Sequence, residues 1–235
     1  YYWTMGKCLE IEDVINKHCA IMDKKDPKKQ IGLLVDEWGT WWDEEPGTIS
    51  GHLYQQNSMR DAFVAALSLN VFHRHTDRIR MANIAQVVNV LQAMILTNDT
   101  QMVLTPTYHV FEMYNVHQDA EYLASDIITS KRSCDRAIDV PEVDVTASRK
   151  DGNMNISLVN TDLKNSKKVL VSFDDAKSVS KVLSARVLTS KDVRDYNDFD
   201  KPEVVAPAAF KDYKFTKAGL EVTLPPCSVV AISAK

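Results

Sequence analysis

Ile31-Gly32-Leu33-Leu34-Val35-Asp36-Glu37-Trp38-Gly39-Thr40-Trp41-Trp42 is the stretch on which both fold and chemistry turn. Ile31 to Val35 is a continuous apolar run of the kind found in a strand buried on both faces. A carboxylate pair follows it directly, and a tryptophan cluster follows the pair. In parallel α/β barrels the side chains at strand C-termini face the active site, so the pair stands where chemistry is done. Successive strand residues point to opposite faces, which predicts that Asp36 and Glu37 do not both face one ligand. Aromatic faces beside a carboxylate suit a sugar: rings pack on C–H surfaces, and an apolar wall sharpens the acid's electrostatics. The plain structural alternative is a strand-end acid that pairs with an arginine or caps a helix.

Working outward, residues 1–120 alternate helix and strand. A helix is predicted from Thr4 to Asp23, ended by Pro27 and a lysine-rich turn. A long loop from Trp41 to Asn57 follows the first strand. Ser58 and Asp61 then suit the first turn of an apolar helix running to His75. Ile79 to Ile84 reads as a second short buried strand, and Pro106 to Val116 as another helix. This order is the grammar of a parallel α/β fold. Beyond residue 120 the helical period stops. Val143 to Ser148 and Met154 to Val159 alternate around Asp151-Gly152-Asn153, a good hairpin turn. Lys168 to Phe173, Val182 to Leu188, Leu220 to Leu224 and Val229 to Ser233 continue the series and predict an antiparallel sandwich. Two unlike halves predict two domains, with the boundary near 120–125.

A net charge of −4 and no basic stripe argue against a nucleic-acid partner. The apolar run from Ile79 to Thr107 is interrupted by Asn83, Gln86, Asn89 and Gln92, too many amides for a membrane span. Tyr1-Tyr2-Trp3-Thr4 has neither initiator Met nor basic n-region, so the chain is expected to start inside a longer protein. Cys8 and Cys19 sit about 16 Å apart on one predicted helix, at 1.5 Å per residue, too far to bridge. Cys134 and Cys227 are left open between a cross-sheet pair and free thiols, and with them the redox compartment. His73 and His75 point away from each other at i,i+2 and make a poor metal pair; as cations they suit a helix C-terminus. His109 and His117 read as packed or surface histidines and His52 as a solvated loop residue. Asp43, Glu44 and Glu45 read as a solvated loop end, and Met59, Met81, Met94, Met102 and Met113 as core filler.

The segment Lys29 to Trp41 resembles the nucleophile strand of α-L-arabinofuranosidases of glycoside hydrolase family 51. The resemblance continues through Pro46-Gly47-Thr48, Leu53-Tyr54-Gln55-Gln56-Asn57, Met59-Arg60-Asp61-Ala62 and Asp77-Arg78, then Met81 to Ala93 and Leu104 to Phe111. It is detailed over residues 1–120 and only general in the strand-rich tail ending at Leu224-Pro225-Pro226-Cys227-Ser228-Val229-Val230. It implies a (β/α)8 barrel followed by a C-terminal β-sandwich. Residues 1–120 would carry helix six to helix eight, and 121–235 the sandwich. It implies Glu37 as nucleophile, Trp41 as a wall of the sugar pocket and Gln86 as an amide bonded to the arabinofuranosyl ring. Neither cofactor nor metal is implied, and the parent enzyme is expected to be a homo-oligomer acting on arabinofuranosyl oligo- or polysaccharides.

One departure bears on activity. Retaining hydrolysis needs two carboxyls about 5–5.5 Å apart, and the family's acid/base Glu follows an Asn at the end of strand four. This chain has no Asn-Glu pair. It is therefore expected to be the C-terminal fragment of a retaining, exo-acting α-L-arabinofuranosidase of arabinan or arabinoxylan, inactive in isolation. A non-catalytic carbohydrate-binding or assembly module is the alternative. An endo-acting β-glycanase on a similar barrel would not explain the strings Met81 to Ala93 and Leu104 to Phe111.

Overall fold

The computed structural model describes residues 1–173 and 179–235. Two helices, α1 (Tyr2–Leu9) and α2 (Ile11–Lys25), replace the single one expected. The break falls at Glu10, whose carbonyl takes the Asp13 N–H at 3.1 Å in a tightened three-residue turn. Strand β1 (Leu33–Trp38) starts later than expected and ends later. The Asp26 carboxylate accepts the Ile31 N–H at 2.7 Å, which holds Ile31 in the preceding turn. Helix α3 (Met59–Arg74) then crosses to β2 (Ile79–Ile84), which lies parallel to β1, the connection that parallel neighbours require.

Ser58 and Asp61 close a capping box on α3, with the Ser58 N–H donating to the Asp61 carboxylate at 2.8 Å. Phe63, Val64, Ala65, Ala66 and Leu67 are all buried, so this helix is enclosed around its girth, and its polar members Asp61 and Asn70 must find partners inside. After β2 a small hairpin of β3 (Ile95–Thr97) and β4 (Met102–Leu104) occupies part of the run read as plain buried core. Its turn is held by the Asn98 side chain, which accepts the N–H groups of Thr100 and Gln101. Helix α4 (Pro106–Tyr114) has Thr105 as its cap and Pro106 in its first turn, and ends in a 3-10 turn over Asn115–His117.

The remaining chain is strand after strand: β5 (Glu121–Leu123), β6 (Lys131–Arg132), β7 (Val140–Pro141), β8 (Val143–Lys150), β9 (Asn153–Asn160) and β10 (Lys167–Val171), then β11 (Val182–Thr189), β12 (Ala208–Ala209), β13 (Tyr213–Thr216), β14 (Gly219–Leu224) and β15 (Ser228–Ala234). A six-stranded sheet in the order β12-β11-β15-β9-β8-β5 packs on a three-stranded sheet in the order β10-β14-β13, with antiparallel pairing throughout. Asp151 and Gly152, both at positive φ, make the tight turn expected between β8 and β9.

The alternation of β9 and β15 does not mark one wet face. Ile156, Leu158, Val230 and Ile232 fill the sandwich core. On the opposite face Val159, Val229 and Ala231 join one core with Met5, Phe63, Val71 and Val110 of the helices. The larger sheet is thus buried on both sides, and the two halves meet across it.

Candidate active site

β1 delivers its acids through an irregularity. Val35 lies opposite Ala82 and Trp38 opposite Ile84, three steps along β1 against two along β2. Such a bulge bends the strand and re-aims side chains. Trp38 therefore turns into the helical core, stacking on Phe111 with centroids 6.0 Å apart and meeting Phe72 edge-on at 5.3 Å. Asp36 and Glu37 are both exposed. Only Glu37 of the two lines the hollow beside this strand end, in keeping with the expectation that the pair does not face one ligand. Among the described residues Glu37 joins no ion pair, so the arginine-paired alternative is not what forms.

Glu37 lines a hollow of about 340 Å³ together with Trp41, Trp42, Thr40, and Trp3 and Lys7 of α1. Trp41 is 67% exposed there. Gln86 is exposed two residues past the end of β2. That strand end is tied to β1 by the Ala85 N–H, which donates to the Trp38 carbonyl at 3.1 Å. The Ala85–Gln86 peptide is cis. Glu37 and Trp41 thus share a cavity wall, while Gln86 stands on the adjacent strand end and is not part of that wall.

A buried polar network, unassigned by sequence reasoning, fixes the loop behind Glu37. The Asp61 carboxylate is fully buried. Besides capping α3, it accepts the Trp42 indole N–H at 3.3 Å and the Gln92 amide at 2.9 Å, and it pairs with Arg60 at 3.0 Å. The Gln92 oxygen in turn accepts the Thr40 N–H at 2.8 Å, and the Gln55 oxygen accepts the Trp42 N–H at 2.7 Å. The Arg60 guanidinium lies 4.1 Å above the Trp42 ring. Gly39, at φ +132, is needed where it is: a Cβ there would stand 2.6 Å from the Gln92 oxygen. The signal available in sequence was Gln92 itself, an amide inside an apolar run, which must find partners once buried.

Two acids of the loop also do more than expected. Glu44 accepts the N–H groups of Gly51 and Leu53 at 2.7 and 2.9 Å, and Glu45 accepts that of Gln56 at 3.2 Å. Rather than a solvated end, they are the pins of the long loop; Asp43 alone is exposed.

The histidines and cysteines go elsewhere. His73 contacts the Thr146 hydroxyl at 3.1 Å, and His117 sits between Ser148 and Ser157 at 2.7 and 2.9 Å. His75 meets Glu12 at 3.0 Å. Among the described residues no three metal-ligating side chains converge. All four cysteines are free. Burial pushes the Cys8 thiol up to about 11 and the Cys227 thiol up to about 12, so both stay protonated at neutral pH. No helix among the described residues is long and apolar enough to cross a membrane.

Known proteins of similar sequence and fold include several arabinofuranosidases. Residues 36–228 match the family model described as the α-L-arabinofuranosidase C-terminal domain. The chain is 58% identical over 233 residues to an intracellular exo-α-L-arabinofuranosidase of Bacteroides ovatus, covering 99% of this chain and 45% of that protein. It is 25% identical over 170 residues to an intracellular exo-α-(1→5)-L-arabinofuranosidase of Bacillus subtilis, covering 66% of this chain and 34% of that protein. It therefore spans less than half the length of these relatives. The crystal structure of the family 51 arabinofuranosidase from Xanthomonas axonopodis pv. citri superposes with a TM-score of 0.93 at 44% identity, over 99% of this chain and 47% of that one. A family 51 α-L-arabinofuranosidase from Bifidobacterium longum shares the fold, with a TM-score of 0.82 at 22% identity, over 100% of this chain and 49% of that one. With a family match over most of its residues and high identity over nearly all of them, the chain belongs to the α-L-arabinofuranosidase C-terminal domain family, within glycoside hydrolase family 51.

Proposed function

We propose that this chain is the C-terminal part of a retaining, exo-acting α-L-arabinofuranosidase that removes terminal α-L-arabinofuranosyl residues from arabinan- or arabinoxylan-type chains. The observation that carries the assignment is the Glu37 carboxylate. It is exposed and, among the described residues, free of ion pairs at the bulged end of a parallel strand, in one hollow with Trp41. An acid held this way is ready to act as a nucleophile. Trp41 would pack on the sugar's C–H face. The Gln86 amide, on the next strand end, would donate to and accept from adjacent ring hydroxyls.

In the proposed reaction a Glu37 oxygen attacks the anomeric carbon, and the bond from that carbon to the leaving oxygen breaks. A second carboxylic acid protonates the leaving oxygen. As a carboxylate it then takes a proton from water, which attacks the same carbon and frees Glu37. The second acid would come from the part of the enzyme outside this sequence, so the chain alone should not hydrolyse arabinosides. Residues 1–120 would supply helix six to helix eight of a (β/α)8 barrel, with β1 and β2 as strands seven and eight, and residues 121–235 the sandwich. Leu34 and Met81, each 49% exposed on the strand pair, support a barrel whose other strands cover them. The intracellular description of the Bacteroides ovatus relative supports a cytoplasmic enzyme.

The test is Glu37→Ala in the full-length protein. Hydrolysis of an aryl α-L-arabinofuranoside should fall on the order of 10³-fold or more, and added azide should restore turnover with an inverted glycosyl azide as product. Undiminished hydrolysis would overturn the assignment and favour a glycan-binding module.

A further inference from the structure

We propose that Asp61 and Gln92 are positioning residues of this site: a buried two-residue relay that sets the Gly39–Trp42 segment, and with it the placement of Glu37 and Trp41. The inference rests on the assignment of Glu37 as nucleophile.

The relay connects two elements far apart in sequence. Asp61 belongs to the first turn of α3, where its carboxylate is held by the capping box and Arg60. Gln92 is 1% exposed and uses both ends of its amide: the nitrogen donates to Asp61 at 2.9 Å and the oxygen accepts from the Thr40 N–H at 2.8 Å. Thr40 sits directly before Trp41. Trp42, directly after it, donates its indole N–H to the same Asp61 carboxylate at 3.3 Å. The residues on either side of Trp41 are therefore tied to one buried carboxylate, Thr40 by its backbone N–H through Gln92 and Trp42 by its indole. Gly39 leaves space for the Gln92 oxygen, since a Cβ at this position would stand 2.6 Å from it. A helix needs only its cap. The additional bonds from Asp61, through Gln92, to the segment after the nucleophile have no part in capping α3. Their direction also matters: an amide that accepts from backbone and donates to carboxylate has one orientation only, so the segment is held in a single register.

The experiment uses the full-length protein with Gln92→Leu, Gln92→Glu and Glu37→Ala, and reads kcat and KM per titrated active site well below each variant's melting temperature. Gln92→Leu removes both relay bonds and should lower kcat/KM on the order of 10²-fold, the loss that a displacement near 1 Å produces. Gln92→Glu keeps the acceptor for Thr40 but, when ionised, sets two carboxylates together, which raises the new carboxyl's pKa. It should be impaired at neutral pH and recover toward wild type as the pH is lowered, because the protonated acid donates to Asp61 as the amide did. A role confined to stability would lower the melting temperature and leave both constants per titrated site unchanged, and that result overturns the inference. So does a Gln92→Glu to wild-type activity ratio that is flat with pH, a readout that holds even if Gln92→Leu does not fold. If Glu37→Ala is inactive while the Gln92 variants are normal, the relay fails and the nucleophile stands. If Glu37→Ala is active, both fall.

Discussion

The open end of β1 and the seam between α3 and the six-stranded sheet are built from similar residue types and come out opposite. At the seam the buried polar side chains Asn70, Tyr114, Asp144 and His117 all have partners. Asn70 donates to Asp144 at 3.0 Å and accepts from the Tyr114 hydroxyl at 3.0 Å, while His117 bridges two serines. Arg74 closes the edge, bonding Glu12 at 3.0 Å and standing 3.5 Å from Asp144. At the strand end Glu37 has no such partner among the described residues and lines a cavity. Polar groups that satisfy one another hold a fold together; one that is kept exposed on a rigid strand is available for a ligand. Two histidines and a buried aspartate, residue types that often do chemistry, instead join the helices to the sheet here.

The sharpest way to break this contrast is Glu37→Gln in the full-length protein. Activity should fall by at least about 10³-fold, equivalent to about 4 kcal/mol of transition-state stabilisation, with stability within about 0.5 kcal/mol of wild type. Calorimetry beside kinetics checks both halves of the statement. At the seam the reverse is expected. Asn70→Ala leaves the Tyr114 hydroxyl and the Asp144 carboxylate without their partner, and should cost about 2–4 kcal/mol in a denaturant melt, while kcat of the folded fraction is unchanged.

The seam should also respond to acid. Burial holds His73 down to about 4 and His117 down to about 3, with Arg74 and His73 respectively adding to the effect. Above pH 6.5 both rings are neutral folded or unfolded, and their contribution is fully present. As the pH falls below 6.5 the unfolded rings bind protons that the folded ones refuse, so stability drains between pH 6.5 and about 3. Asp144 works against this: burial raises its carboxyl, so the folded state takes up that proton first on the way down. The two histidines outweigh the one carboxyl, so stability should fall by roughly 1–4 kcal/mol between pH 7 and 5. Melts of a His73→Gln, His117→Asn double variant should lose most of that slope. The smallest effect belongs to the exposed pair Arg186–Glu112, at 2.7 Å on the surface between α4 and β11. Glu112→Gln should change stability by less than about 1 kcal/mol, and less still in high salt.

Much of this was legible in the chain. The apolar run ending in Asp36-Glu37, the Ser58–Asp61 cap and the Asp151-Gly152 turn are set by neighbours a few residues away, where propensity and spacing act directly. The hairpin of β3 and β4 was hidden because its three-residue strands are too short to show a period. The pins Glu44 and Glu45 were hidden because acids in a loop look solvated until the loop folds back on them.

What the sequence determined by itself is the order and type of the main elements and the carboxylate that the first strand delivers. Only the tertiary structure decided that a bulge interrupts β1 between Val35 and Trp38, that β9 is covered on both faces, and that Gln92 reaches Asp61 from 31 residues away. The physical reason is the range of the interactions. Local choices are made by backbone sterics and adjacent side chains, but a buried polar group finds its partner only after distant elements have packed and water has left.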